Sequence, residues 1–257
     1  RKKALEAYGV NLIFTDPYRV AEQNRWTQPW LDATAARFRD DFDLHIAVSR
    51  LKLKFLNTPE ALIHGDLHTG SIMVTEQATV VIDPEFAFYG PMGFDIGAVI
   101  GNLLMAYLAS AGHEQAPGDR RAFEAWLLET VESVWTEFVR KFLDLWRTQA
   151  GGDAYPATLF AAEAGAARLE AERQAYMERL FGDTVGFAAA KIVRRILGLA
   201  HNIDFELIEN PRQRAICEAR SLRLARAMMV DAASFRTVGA VTAAATEVRD
   251  WQPDFAK

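Results

Sequence analysis

The chain has 257 residues and a formal net charge of −5, with half of its residues hydrophobic and a quarter charged. This composition is typical of a soluble globular protein with one large domain or two modest ones. The mildly acidic balance argues against nucleic acid as the main partner, since binding to a phosphate backbone requires a basic face. The single cysteine, Cys217, excludes an internal disulfide and favours a reducing, cytoplasmic setting. We expect no membrane partner, because no apolar run reaches the length of a membrane helix.

The first part of the chain mixes short apolar runs with one long helical pattern. Residues 12–14 form a strand-like run, which Asp16-Pro17 closes. Apolar residues then recur at helical spacing from residue 31, which predicts one helix that ends near residue 59. Three further apolar runs are too short for helices, and they predict strands at residues 61–63, 72–74 and 79–82. The last two strands are expected to form a hairpin.

From Asp95 onward the sequence predicts one helix after another. Asp95 is placed to cap the first of these helices. Gly151-Gly152 is expected to end the second helix, and Asn210 with Pro211 to begin the last one. The predicted helices cover residues 96–111, 123–146, 156–180, 185–200 and 211–232. The fold class that follows is α+β, mainly α, with a short β-hairpin.

Acidic residues follow two of the predicted strands. Asp66 comes soon after the strand predicted at residues 61–63, and Asp83 and Glu85 come directly after the one at residues 79–82. Because the strands of one hairpin bring their loops side by side, we expect these three carboxylates to converge at one edge. Three acids at such short distances require a cation. Hard oxygen ligands suit magnesium that carries a nucleotide phosphate.

The same residues fit the template of a kinase. That template needs an aspartate that takes the hydroxyl proton, a second ligand five residues later, and a metal-binding aspartate after the next hairpin. Asp66, Ser71 and Asp83 stand at these positions. The Ser71 hydroxyl is a weaker ligand than the usual asparagine, and Glu85 can supply the missing oxygen because i and i+2 point the same way on an extended segment. The sequence therefore predicts Asp66 as catalytic base and Asp83 and Glu85 as magnesium ligands.

Five segments carry a resemblance to a known family. They are residues 64–71 (HGDLHTGS), 83–91 (DPEFAFYGP), 93–97 (GFDIG), 14–17 (FTDP) and 194–198 (RRILG). Together they resemble the kinase-like small-molecule kinases related to aminoglycoside and choline kinases, and within these the methylthioribose kinases. The most specific part is the octapeptide ending in serine, combined with Asp-Pro-Glu in place of Asp-Phe-Gly.

This resemblance implies a protein-kinase-like C-terminal lobe whose hairpin carries the catalytic and metal-binding loops. The implied reaction is the ATP- and Mg²⁺-dependent phosphorylation of the anomeric hydroxyl of 5-methylthioribose, which gives 5-methylthioribose 1-phosphate in methionine salvage. A homodimer is also implied.

The resemblance further implies a role for each residue of the site. Asp66 would bind the substrate hydroxyl and deprotonate it. Arg194 and Arg195 would line the substrate side of the site. The residues implied to contact the nucleotide and its metal are Asp83, Pro84 and Glu85.

Three residues near these have more modest expected roles. We expect His64 to brace the catalytic loop through a hydrogen bond rather than to transfer protons. Asp95 is expected to tie its helix to the same loop. The sequence leaves open whether His68 lines the site or only packs against it.

The 63 residues before His64 lack the parts that grip ATP in a kinase. They contain a single glycine, Gly9, and therefore no glycine-rich phosphate loop. They also lack a strand lysine in a Val-Ala-Ile-Lys setting. We therefore expect residues 1–257 to be a C-terminal lobe without its N-terminal lobe, and to be inactive alone.

Two alternatives stay open at this stage. The substrate could be another small alcohol of the aminoglycoside, choline or homoserine type, or the chain could be a standalone lobe that binds without catalysis. A metallophosphoesterase is disfavoured, although Asp43, His45 and Asn102 imitate parts of its ligand motifs. Asp43 and His45 lie in a helical pattern, where residues two apart diverge by about 200° and cannot hold one metal together.

Overall fold

The computed structural model of the chain describes residues 9–149 and 154–256. The α-helices are α1 (residues 9–14, as far as described), α2 (Asp32–Asp40), α3 (Phe42–Asn57), α4 (Met92–Ser110), α5 (Arg121–Thr148), α6 (Glu163–Leu197), α7 (Ile203–Glu206), α8 (Pro211–Val230) and α9 (Val238–Arg249). The strands are β1 (Ala61–Ile63), β2 (Ile72–Val74), β3 (Thr79–Val81) and β4 (Phe88–Gly90). The α+β class, mainly α, is thus confirmed.

The strands form two small antiparallel sheets. β1 pairs with β4, with Ile63 opposite Phe88. β2 pairs with β3, with Ile72 opposite Val81. The three predicted strands and the hairpin are confirmed, whereas β4 was not predicted. The pairing of β1 with β4 places the start of the loop at residues 64–71 beside the segment that leads into α4.

Helix α4 forms the centre of the core and packs closely against α6. Glycines make this approach possible: a Cβ atom at Gly97 would lie 2.6 Å from the carbonyl oxygen of Thr184, and one at Gly101 would lie 2.9 Å from that of Ala188. Among the described helices, α4 with the turn after it is the one long and apolar enough to cross a membrane. Since 78% of its most apolar stretch is buried inside the protein, α4 is a core helix.

The strand predicted earlier in the chain, at residues 12–14, is wrong, because these residues are helical. Phe14 is buried, and its ring lies 5.4 Å from that of Phe55 and 6.0 Å from that of Phe187. A short apolar run does not distinguish a strand from one face of a helix. Here the contacts with distant aromatic residues determine the outcome.

Two helix boundaries also differ from the prediction. The single helix expected from residue 31 is divided at Asp41, whose side chain caps α3 by accepting a hydrogen bond from the Leu44 amide at 3.0 Å. Conversely, the two helices expected on either side of Gly182 are one helix, α6. A glycine costs about 1 kcal/mol in a helix, which the burial of the following residues outweighs. The break expected at residues 151–152 lies outside the described residues.

Two helix caps were predicted from the sequence, of which one is confirmed and one is wrong. Asn210 caps α8 as predicted, because its side chain accepts hydrogen bonds from the amides of Arg212 and Gln213. Asp95 does not cap α4, since the helix begins at Met92 and Asp95 lies in its first turn. The Asp95 carboxylate is instead directed at the neighbouring loop.

Candidate functional site

A loop that begins with His64 is held to the end of β3 by the imidazole ring. Nε2 of His64 lies 2.8 Å from the carbonyl oxygen of Ile82, and Nδ1 accepts a hydrogen bond from the Asp66 amide at 3.3 Å. These partners fit the tautomer with the proton on Nε2. Gly65 has a φ of 85°, and a Cβ there would lie 2.4 Å from the carbonyl oxygen of Phe86. The expected bracing role of His64 is confirmed, and the loop requires a glycine beside it.

Asp95 joins this loop to α4. Its Oδ2 accepts a hydrogen bond from the His64 amide at 2.5 Å, and its Oδ1 accepts one from the Gly65 amide at 3.0 Å. Burial raises the pKa of the Asp95 carboxyl, and the two amides offset this only in part. The expected tie between this helix and the loop is therefore confirmed.

The carboxylate of Asp66 pairs with Lys191 on α6, a residue that the sequence analysis did not single out. Lys191 Nζ lies 3.1 Å from Oδ1 of Asp66 and 4.3 Å from the ring centroid of Phe94. Its side chain is only 3% exposed. The sequence does contain a signal for this residue, because a lysine interrupts an otherwise apolar stretch of a helix (AAAKIV, residues 188–193). Charged residues are almost never buried unless they are paired.

The charges around Asp66 keep its carboxyl group ionised. Burial alone would raise the pKa of Asp66, but Lys191, with Arg194 and Arg195 behind it, outweighs burial and lowers it. Burial lowers the pKa of Lys191 to about 8 in spite of the attraction of Asp66. At neutral pH the pair is therefore mainly an ammonium and a carboxylate, and Asp66 is in the state in which it accepts a proton.

Arg194 and Arg195 bring further positive charge to the same place. Burial lowers the pKa of Arg194 to about 10 and also lowers that of Arg195. Nη1 of Arg195 donates to the carbonyl oxygen of Ala200 at 3.1 Å. Nε and Nη1 of Arg194 and Nε of Arg195 are buried without a hydrogen-bond partner among the described residues. Buried unpaired donors are costly, so these nitrogens are suited to bind oxygen atoms of a ligand.

His68 lines the site, which answers the question that the sequence left open. Its Nε2 lies 3.9 Å from Oδ2 of Asp66 and 3.4 Å from the hydroxyl of Ser71. Its Nδ1 accepts a hydrogen bond from the Gly70 amide at 3.1 Å. Burial lowers the pKa of His68 more than Asp66 raises it. The ring is therefore neutral at pH 7.

Asp83, Pro84 and Glu85 lie at the surface beside this loop. Asp83 has a φ of 66°, and all three residues are exposed. No hydrogen bond or ion pair of the Asp83 or Glu85 carboxylate is found among the described residues, so their oxygens are available. Such oxygens fit a hard cation that completes its shell with water and phosphate.

The three predicted carboxylates do not form one cluster. The described residues contain no group of three or more His, Cys, Asp or Glu side chains arranged to hold a metal ion. Asp66 pairs with Lys191, whereas Asp83 and Glu85 are exposed. Ser71 is buried, and its hydroxyl lies 3.4 Å from the Asp66 carbonyl oxygen.

The imitated metallophosphoesterase ligands are dispersed, as expected. Asp43 and His45 lie in α3, and Asn102 lies in α4, where its side chain donates to the Ala98 carbonyl oxygen at 2.9 Å. A groove of about 500 Å³ between α3, α6 and α8 contains none of the site residues described above. The groove is therefore separate from the loop that carries Asp66.

The chain is similar to known phosphotransferases. A sequence model of the phosphotransferase enzyme family matches residues 1–146. Methylthioribose kinase 1 of Oryza sativa subsp. japonica is 46% identical over 232 residues, which are 90% of this chain and 53% of the rice protein. Methylthioribose kinase of Escherichia coli is 40% identical over 251 residues, which are 94% of this chain and 59% of the bacterial protein.

A further methylthioribose kinase, from Geobacillus sp., is 38% identical over 220 residues, covering 86% of this chain and 50% of the relative. The chain thus spans about half the length of the curated relatives that it matches. The family match includes the loop of Asp66 and the segment of Asp83 and Glu85. On this evidence the chain belongs to the phosphotransferase enzyme family.

Proposed function

We propose that the chain is the large lobe of an ATP-dependent kinase that phosphorylates the anomeric hydroxyl of 5-methylthioribose. The observation that carries the proposal is the ionised Asp66 carboxylate, which is paired with Lys191 at 3.1 Å and has two further cations nearby. The similarity to methylthioribose kinases supports the choice of substrate. The product would be 5-methylthioribose 1-phosphate, an intermediate of methionine salvage.

In this proposal the residues of the chain mainly position and neutralise the reacting groups. Asp66 orients the substrate hydroxyl and accepts its proton. Arg194 and Arg195 offer their unpartnered N–H groups to oxygen atoms of the sugar or of the transferred phosphoryl group. Asp83, Pro84 and Glu85 hold the metal-bound nucleotide. Bound Mg²⁺ supplies neutralisation of the charge on the phosphate oxygens.

We further propose that residues 1–257 correspond to the C-terminal lobe, and that a lobe which grips ATP completes the enzyme. The missing glycine-rich loop and strand lysine support this division, as does the share of the relatives that the chain covers. A cytoplasmic homodimer is proposed from the resemblance alone. Light scattering on the purified protein would test the dimer.

The decisive experiment is a substrate screen on the full product of the gene that encodes this chain. ADP release should be measured with methylthioribose, choline, homoserine and an aminoglycoside side by side. We expect turnover of methylthioribose and none after Asp66→Ala, while Asp43→Ala, an exposed carboxylate on α3, serves as the matched control. Preference for another alcohol would reject 5-methylthioribose as the substrate. Binding without any turnover would reject the proposal that the protein is an enzyme.

A further inference from the structure

The ion pair between the buried Lys191 and the partly exposed Asp66 has an asymmetry that bears on the reaction. Among the described residues, only one oxygen of the Asp66 carboxylate has a hydrogen-bond partner: Oδ1 lies 3.1 Å from Nζ of Lys191. Nε2 of His68 lies 3.9 Å from Oδ2, which is too long for a hydrogen bond. We propose that Lys191 is a positioning residue that fixes Oδ1 of Asp66 and thereby leaves Oδ2 as the oxygen that accepts the substrate proton. This inference rests on the proposed kinase function.

The surroundings of Lys191 hold its ammonium in place. Its side chain is 3% exposed, and Nζ lies 4.3 Å above the ring of Phe94, a position that a cation favours. The Phe94 ring itself is fixed by Phe14, Phe55 and Phe187, whose centroids lie 4.8 to 6.5 Å away. Among the described residues, Nζ donates its hydrogen bond to Oδ1 of Asp66. Lys191 is therefore set by the core, and it sets Asp66 in turn.

Stability alone does not account for such a pair. A buried ion pair is often no more stabilising than well-packed apolar residues of the same volume. Here burial also lowers the pKa of Lys191 to about 8, which shows that the charged ammonium carries a substantial desolvation cost. A function for the fixed carboxylate gives a reason for that cost, because reacting groups must be held in a narrow geometry.

The chemical step is balanced with this assignment. Oδ2 of Asp66 takes the proton of the attacking hydroxyl as its oxygen forms a bond to the γ-phosphorus of ATP. The bond between that phosphorus and the bridging oxygen breaks, and its electron pair leaves with ADP. Because its low pKa makes Asp66 a weak base, orientation of the hydroxyl is its larger contribution, and the proton moves late. Lys191 keeps its proton throughout.

The first test uses Lys191→Met in the full gene product, with the substrate that the wild-type protein turns over. Methionine has a similar length and no charge. We expect kcat to fall about 100-fold, as is typical for a misplaced reacting group, with little change in the KM for ATP. Lys54→Met is the matched control, since Lys54 also pairs with a carboxylate of α6, that of Asp183, away from Asp66. An unchanged kcat in Lys191→Met would overturn the inference.

A pH profile separates positioning from a structural role. The charged or titratable groups that face Asp66 are Lys191, Arg194, Arg195 and His68. Without Lys191 the burial of Asp66 is less opposed, so its pKa should rise and the acid limb of kcat should move to higher pH. A loss of packing alone would lower kcat without moving the limb. A limb that stays in place would therefore contradict the proposed role.

A second measurement needs no activity and no variant of Lys191. The carboxyl carbon of Asp66 can be followed by ¹³C NMR during a pH titration of the 257-residue chain, with the signal assigned through Asp66→Asn. We expect a pKa below that of an ordinary aspartate. A pKa at or above the ordinary value would refute the pairing even if Lys191→Met fails to fold. If methylthioribose is not a substrate, the proposed substrate fails but this titration still decides on the ion pair.

Discussion

Asp95 accepts a hydrogen bond from the backbone amide of His64 at 2.5 Å, which joins the first turn of α4 to the loop that carries Asp66. A second bond, from the Gly65 amide to Oδ1 at 3.0 Å, completes a two-point attachment. The aspartate therefore positions the loop backbone rather than the helix end. The most buried helix of the core and the proposed base are linked directly through this one side chain.

We predict that Asp95→Asn lowers kcat by roughly 10- to 100-fold in the full gene product, because an amide has one acceptor oxygen and cannot keep both bonds. The thermal midpoint should change little, since the burial cost of the charge disappears at the same time. Steady-state kinetics and thermal unfolding, measured together, test this. Asp43→Asn on the exposed face of α3 is the control, and a kcat equal to wild type in Asp95→Asn would contradict the prediction.

Gly65→Ala should abolish turnover while the protein still folds. The residue has a φ of 85°, and its Cβ would lie 2.4 Å from a backbone oxygen of Phe86, so the loop must shift away from α4. Gly239→Ala is the matched control, because a Cβ there meets nothing within 4 Å. ADP release and circular dichroism of both variants provide the measurement. Retained activity in Gly65→Ala would show that the loop tolerates another path.

Asp83→Asn and Glu85→Gln should raise the Mg²⁺ concentration needed for half-maximal activity, by about tenfold or more for each removed charge. Both side chains are exposed and lack a described partner, so the free energy of unfolding should be unaffected. Glu76→Gln, in the turn between β2 and β3, removes an equally exposed charge and should leave the Mg²⁺ dependence unchanged. An unaltered Mg²⁺ dependence in both site variants would exclude these residues as ligands.

The sequence predicts the parts of this site whose residues lie close together along the chain, and it does not predict contacts between distant segments. Asp66 and its strands were found because they lie within one short segment whose local pattern specifies them. Lys191 was missed because it is 125 residues away along the chain from Asp66. A lysine in an apolar stretch indicates a buried, paired charge, but the identity of its partner depends on how α6 packs in the fold, which no local pattern specifies. For the same reason, the helical state of residues 12–14 became evident only from their aromatic neighbours.

Glu218 on α8 offers a test of the fold that is independent of the site. Its side chain is 1% exposed, and Oε2 has no hydrogen-bond partner among the described residues. Burial raises the pKa of Glu218 to about 7, and a hydrogen bond with Thr27 opposes this only in part. A raised pKa in the folded state means that folding favours the protonated form. The stability contributed by Glu218 is therefore complete below its unfolded pKa and is lost as pH rises through about 7.

Glu218→Gln should remove this dependence, because the amide stays neutral at every pH. We expect the variant to match the wild type near pH 4 and to unfold at a temperature on the order of 5 °C higher at pH 8. Thermal unfolding between pH 4 and 8 measures the difference. Glu209→Gln, an exposed glutamate just before α8, is the control and should follow the wild-type curve. If Glu218→Gln also follows that curve, Glu218 is already ionised in the fold, and a cation or water must stabilise it.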